Sequence, residues 1–266
     1  MCGRYASARK RQELLEEFRI DRDRVADDLE PDYNVAPTKP VYAVLTRGQG
    51  GAGEGGGPES AVAAAPPGEA AADVARELRV VRWGLVPFWA KDPSIGGRMI
   101  NARVETVDSK PAFRRAFAKR RCLLPADGFY EWLKVQDQGK ERKQPYYIHR
   151  ADGGVLAFAG LYELWRDKSV PDDHPQAWLW TTVIITTRAE DEVGHIHDRM
   201  PMVIGPARWD DWLDPANTEA SDVRPLLAPA SASGLATYPV GTDVNYVRNN
   251  GPALIKPLAG TPAPLV

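Results

Sequence analysis

Cys2 stands directly after the initiator methionine, and a residue this small in second place favours removal of Met1. The processed chain would begin with an α-amine beside a thiol, a pair that no internal cysteine carries. An α-amine titrates near about 7.7–8.0 and a free thiol near about 8.5, so both nucleophiles are available around neutral pH. The amine condenses with an aldehyde to an imine, and the thiol then closes a five-membered thiazolidine. Well-oriented closures of this kind reach effective molarities on the order of 10⁵–10⁸ M. The competing reading makes Cys2 a chance second residue. Cys122, in the apolar run Arg121-Cys122-Leu123-Leu124, reads as a small core residue. With no export signal, a disulfide between the two is not expected, and their spacing is no zinc signature.

Three other stretches carry groups that could serve such a reaction. In Asn101-Ala102-Arg103-Val104-Glu105-Thr106, alternation along an extended segment puts an amide and a guanidinium on one face. Arg103 could hold a phosphate bidentately, or pair with Glu105 at the surface. In Gly128-Phe129-Tyr130-Glu131-Trp132-Leu133, both faces are apolar, so Glu131 is expected to be partly buried, with a raised pKa suited to proton transfer; the competing reading is an edge-strand Glu with its head in water. His195-Ile196-His197-Asp198-Arg199 is the one histidine cluster. It reads as a general acid beside an Arg199 that anchors phosphate or Glu131, or as a turn histidine satisfied by backbone groups. A metal site lacks an evident third ligand, and no cofactor is expected.

The elements that must position these groups are mostly strands. Ser7 could cap a helix over residues 8–19, with Leu14, Leu15 and Phe18 on its apolar face. Pro31 and Pro37 bracket an extended Tyr33-Asn34-Val35-Ala36. Strands are expected at 41–46 and 78–83, a short extended run at 99–104, and a helix at 111–120. Further strands follow at 121–124, 128–134, 145–149, 155–164 and 178–187, with a short helix at 208–213 and a helical turn at 223–227. Between the first two strands, residues 47–75 are dominated by Gly, Ala, Pro and Glu, an insertion too poor in large apolar groups to offset its ordering entropy. The pattern predicts an α+β fold, one domain with a mainly antiparallel, barrel-like sheet flanked by helices, over 1–257, with a tail at 258–266.

Composition narrows the function classes. Of 266 residues, 43% are hydrophobic and 26% charged, the balance of a globular protein. No apolar run approaches the roughly 20 residues that cross a bilayer, so a cytoplasmic, membrane-free protein is expected. The formal net charge of −2 counts against a general nucleic-acid coat and leaves room for a local basic groove.

Met1-Cys2-Gly3-Arg4, Tyr33 to Pro37, Trp83-Gly84-Leu85-Val86-Pro87, Asn101 to Thr106, Gly128 to Trp132 and His197 to Pro201, in that order, resemble the SOS response-associated peptidase (SRAP) family. The resemblance spans nearly the whole chain, to Asn249-Asn250-Gly251. It implies an abasic-site processing protein, monomeric and nucleoid-associated when bound, that links Cys2 to the ring-opened sugar in single-stranded DNA. It further implies lyase and cross-link-reversal activity and self-removal of Met1. By matching position, Asn101 would orient the Cys2 amine, Glu131 would move protons, and His197 would help the sugar ring open. Arg4, Arg103 and Arg199 would contact phosphates, and Asn34 and Pro37 would lie at the DNA, Pro37 as a wedge. Trp83 or Trp89 would supply stacking surface, although Trp83 also reads as core.

Three rival functions use the same residues. An N-terminal nucleophile amidotransferase also begins Met-Cys-Gly, but the glutamine-site motifs are missing. A thiol peptidase could use Cys2, His197 and Glu131, and it needs only the sulfur where the aldehyde trap also needs the amine. A non-catalytic single-strand binder would dispense with Cys2.

Overall fold

The structure is a computed structural model that describes residues 2–48, 74–137, 139–174, 176–189, 191–228 and 234–260. Its elements run β1 (Tyr5–Ser7), α1 (Arg11–Glu17), β2 (Arg22–Asp23), β3 (Asp32–Val35), β4 (Pro40–Gly48), β5 (Val74–Trp83), β6 (Asn101–Arg103) and α2 (Arg114–Lys119). There follow β7 (Arg121–Ala126), β8 (Gly128–Asp137), β9 (Lys140–Arg150), β10 (Leu156–Arg166), β11 (Trp178–Arg188), α3 (Asp191–Ile196) and β12 (Arg199–Pro201). The last are α4 (Trp209–Leu213), α5 (Ala220–Val223) and β13 (Leu235–Pro239).

Five strands close a mixed barrel. β4 pairs antiparallel with β5 and β7, β7 with β10, and β10 with β11. β11 returns parallel to β5 through Thr181↔Arg82 and Thr182↔Trp83, which completes the ring. Strand alternation divides the barrel's side chains into two clusters. Tyr42, Val44, Leu123, Ala159, Leu161 and Val183 join Leu14 and Phe18 of α1, Phe117 of α2 and Trp212 of α4, and so face outward under the helices. Ala43, Leu45, Val81, Trp83, Cys122, Leu124, Phe158 and Ile184 form the inner cluster. That cluster continues into Tyr5 and Phe129 of a second, antiparallel sheet of order β13-β9-β8-β1-β3, and into Cys2 just before β1. Cys2 therefore lies where the two sheets meet. The α+β fold, its barrel and its single domain agree with the reading from sequence.

Boundaries shift where side chains are committed elsewhere. Ser7 does not cap a helix. It ends β1 opposite Asp32, and the neighbouring amide of Ala8 donates to Asp127 Oδ2 at 2.6 Å, so α1 starts only at Arg11. β8 and β9 run longer than expected, to Asp137 and from Lys140, because backbone pairing carries the hairpin beyond its apolar part. α3 was not foreseen. β4 and β5 reach Gly48 and Val74, so both ends of the 47–75 insertion are strand, and 49–73 lie outside the described residues. Residues 261–266 of the expected tail lie outside them too.

Candidate active site

The chain start is tied down on both flanks. β1 pairs with β3 through Tyr5↔Val35 and with β8 through Tyr5↔Phe129, and the amide of Tyr130 donates to Arg4 O at 3.0 Å. Cys2 is fully buried, and Asn101 Nδ2 donates to its carbonyl at 2.8 Å. A carbonyl only accepts, so this bond fixes the amide's orientation and makes the other atom of Asn101 the oxygen. That Oδ1 is buried and has no hydrogen-bond partner among the described residues. An unsatisfied buried acceptor costs about 1–3 kcal/mol, which is a reason to look for a missing donor at this spot. Asn101 is held there by β6, which runs parallel to β11 with Ile184↔Asn101 in register.

Glu131 lies on β8 with Phe129 and Leu133 toward the inner cluster, while Tyr130 and Trp132 face the cluster on the opposite side of the sheet. Only 2% of it is exposed. Burial pushes its carboxyl up to about 7, and the positive charge of the chain terminus opposes the shift. Burial, then the negative charge of Glu131, drives the Cys2 thiol far above its ordinary value. A thiol that keeps its proton thus sits beside a carboxyl that can be either acid or base at neutral pH. His197 follows α3, its amide bonded to Val193 O at 3.0 Å. The Arg199 amide donates to His197 Nδ1 at 2.9 Å, which leaves the ring proton of the neutral form on Nε2. Asp198 Oδ1 is 2.9 Å from the same nitrogen and favours the protonated ring, but burial prevails and lowers the His197 pKa.

Residues 1–247 match the SOS response associated peptidase (SRAP) family. The chain belongs to this family. The abasic site processing protein YoqW of Bacillus subtilis is 35% identical over 256 residues, which cover 96% of this chain and 99% of the relative. YedK of Escherichia coli, also named an abasic site processing protein, is 30% identical over 263 residues, 97% and 100% of the two chains. A crystal structure of a Bacteroides thetaiotaomicron protein shares the fold with a TM-score of 0.72 and 23% identity, over 96% of this chain and 99% of that one.

The residues expected at DNA divide in this SRAP chain into exposed and committed groups. Arg103 is exposed, and its guanidinium makes no hydrogen bond or ion pair with a described residue. Trp89 is 51% exposed. Pro37 is half-buried at the tip of a turn. Trp83, by contrast, is wholly buried in the inner cluster, its Nε1 donating to Ile100 O at 3.0 Å and its ring 5.3 Å edge-on from Tyr5, so in this structure it offers no face to a base. Asn34 is buried. Its Oδ1 accepts from Arg4 Nη1 at 2.8 Å, and its Nδ2 is shared among the carbonyls of Val244, Tyr246 and Asn249 at 3.0–3.2 Å. Arg4 Nη1 also reaches Val244 O. This pair clips the 242–249 segment onto the sheet. Arg199 pairs with Glu105, in place of the Arg103–Glu105 pair considered from sequence.

Two further features, beside Trp89 and Pro37, were not anticipated. Phe88 is as exposed as Trp89, and the Arg115 guanidinium lies over its ring at 4.7 Å. The loop that carries both aromatics folds back because Gly84, at φ +123°, and Gly96 touch through their backbones: a Cβ on Gly84 would stand 2.6 Å from Gly96 O. Thr38 sits at φ +75°, costing about 1–3 kcal/mol for a β-branched residue. The bonds Thr38 N to Trp83 O at 2.8 Å and Trp83 N to Lys39 O at 3.0 Å hold it there, and with it the Pro37 tip. The strain at Thr38, next to Pro37, was not foreseen from sequence.

Proposed function

We propose that this chain captures abasic sites in single-stranded DNA by a covalent bond through Cys2, as part of a cytoplasmic response to DNA damage. Hydrolysis of the Met1–Cys2 bond, consuming one water, frees the α-amine. That amine adds to the C1′ aldehyde of the ring-opened sugar and loses water to give an imine. The Cys2 sulfur then adds to C1′, its proton passing to the nitrogen, and a thiazolidine closes. The observation that carries this reading is the buried Asn101 Oδ1 without a partner, next to the Cys2 carbonyl that Asn101 already holds. A Cys2 ammonium or amine would supply the missing donor and be oriented by it. Glu131, ionising near 7, suits the proton transfers among thiol, nitrogen and departing water. His197, with Nε2–H in its neutral form, suits donation to the sugar's ring oxygen. The exposed Arg103, Trp89 and Phe88 suit a phosphate and unstacked bases.

Incubation with a single-stranded oligonucleotide bearing one abasic site, followed by a denaturing gel, tests the reading. A heat-stable adduct is expected for the processed chain. None is expected for Cys2→Ala or for protein that retains Met1. Cys2→Ser can form the imine but not the sulfur ring, so strand cleavage by β-elimination is expected in place of trapping. A Cys2→Ala protein that cross-links as well as the parent would exclude this chemistry.

A further inference from the structure

The end of the barrel away from Cys2 carries more positive charge than its own carboxylates offset. The alternation that turns Val81 and Trp83 inward on β5 also turns Glu77 and Arg79 inward, with Arg47 on β4 and Trp180 on β11. Val81 stands between Arg79 and Trp83, and Thr182 between Trp180 and Ile184. The Arg79 end of β5 is therefore about 13 Å along the strand from Trp83.

Two guanidiniums converge there on one indole. Arg79 Cζ lies 4.4 Å from the centre of the Trp180 ring, and Arg47 Cζ lies 5.5 Å from it. The buried Tyr162 stacks on the same ring at 5.7 Å and 17°, which fixes this platform from within the barrel. Glu77, only 3% exposed, accepts from Arg79 Nε at 2.7 Å and fixes that guanidinium further. Arg24 Nε shares the same carboxylate at 3.6 Å. Among the described residues, Glu77 is the one carboxylate that pairs with any of these three arginines. The Arg47 guanidinium makes no hydrogen bond or ion pair with a described residue, and Arg79 Nη1 and Nη2 make no hydrogen bond with one. A guanidinium held against an aromatic face keeps its N–H edge free, so little ordering is left to do when an anion arrives. The charges of Arg47 and Arg79 also reach Tyr162, where they oppose the rise in pKa that burial causes.

We propose that Arg47 and Arg79 form a phosphate site at this far mouth of the barrel, for a phosphate dianion that is free or terminal on a nucleotide strand. Two cations that share one counter-charge suit the dianion better than the single charge of a phosphodiester. Trp180 already engages Tyr162 and both guanidiniums, so it is no platform for a base, and the phosphate itself is what is recognised. The site uses none of the residues assigned to abasic-site capture, so it stands or falls apart from that reading.

Arginine side-chain ¹⁵Nε resonances of the full chain, assigned with Arg47→Lys and Arg79→Lys, test this in titrations at constant ionic strength. The probes are sodium phosphate, sodium chloride, and thymidine dinucleotide with and without a 5′-phosphate. Phosphate should shift the Arg47 and Arg79 resonances saturably at millimolar concentration or below. Each lysine variant should weaken binding by about tenfold, since an ammonium lacks the fork. Tighter binding of the 5′-phosphorylated dinucleotide than of free phosphate assigns the site to strand ends; equal or weaker binding assigns it to phosphate alone. Chloride that reproduces the phosphate shifts would show mere screening and overturn the proposal. So would an unphosphorylated dinucleotide that binds as well as the phosphorylated one, or an affinity that survives both lysine substitutions. Parent resonances that stay unmoved in phosphate overturn it without recourse to any variant.

Discussion

Asn101 Nδ2 donates to the carbonyl of Cys2 at 2.8 Å, joining a three-residue strand at the barrel wall to the start of the chain. Asn101→Ala removes both that donor and the buried acceptor beside it. We expect adduct formation to slow by about 10²-fold, with oligonucleotide affinity nearly unchanged. Single-turnover gels and binding curves on the same preparations check the split; equal losses in both would mean that Asn101 serves binding alone.

Glu131 should make the protein less stable as pH rises. The unfolded carboxyl ionises near about 4.3 and the folded one near 7, so between them the folded state holds the extra proton and stability falls with increasing pH. Above 7 the whole cost, on the order of 3 kcal/mol, is present. Glu131→Gln should therefore unfold later than the parent at pH 8, show little difference near pH 4, and fail to complete the adduct. Denaturant midpoints across this range decide it; a parent and variant that track each other would show an ordinary carboxyl.

The two tryptophans six positions apart should respond in opposite ways. Trp89→Ala is expected to leave thermal stability unchanged and weaken single-strand binding by about 1–3 kcal/mol, the worth of one stacked base. Trp83→Ala empties part of the inner cluster and should cost about 3–5 kcal/mol of stability. Melting curves beside binding isotherms separate the pair. Loss of binding in a stably folded Trp83→Ala protein would return Trp83 to the interface.

The contrast between these tryptophans shows what local pattern can and cannot say. Alternation in Phe129-Tyr130-Glu131-Trp132-Leu133 placed Glu131 on the correct face because both faces of β8 are apolar, so burial did not depend on distant partners. Cys2 was legible from position alone. Trp83 ends β5 on the inner face with Val81, whereas Trp89 lies in the loop beyond, which the close approach of Gly84 and Gly96 folds back in a way no local pattern reveals. Asn34 and Arg4 meet a partner more than two hundred residues away, a 3-10 turn at Thr242–Asn245 with no periodicity to reveal it. α3 escaped notice because its six residues include a glycine and a histidine, which read as a turn.

Asn34→Ala should act on the fold and leave the chemistry alone. It strips Arg4 of its amide acceptor and leaves the Val244, Tyr246 and Asn249 carbonyls without their shared donor, for about 2–4 kcal/mol. The 242–249 segment should lose hydrogen-exchange protection before the barrel does. Full protection in the variant would show that the clip is dispensable.

Arg103→Ala should lower the salt dependence of binding. Each phosphate contact on a single strand contributes about 0.7 to the slope of log K against log salt. The variant should lose about that much, whatever the base sequence. An unaltered slope would take Arg103 off the backbone.

β1 has neighbours on both sides, and one of them is Phe129 on β8. During synthesis the first residues leave the ribosome long before Phe129 exists, so the opening strand can meet β3 early but lacks its second neighbour until about half the polypeptide has followed. On the proposed chemistry, an aldehyde met before then would find Cys2 without Glu131 beside it. Competence for that chemistry would thus be delayed by topology.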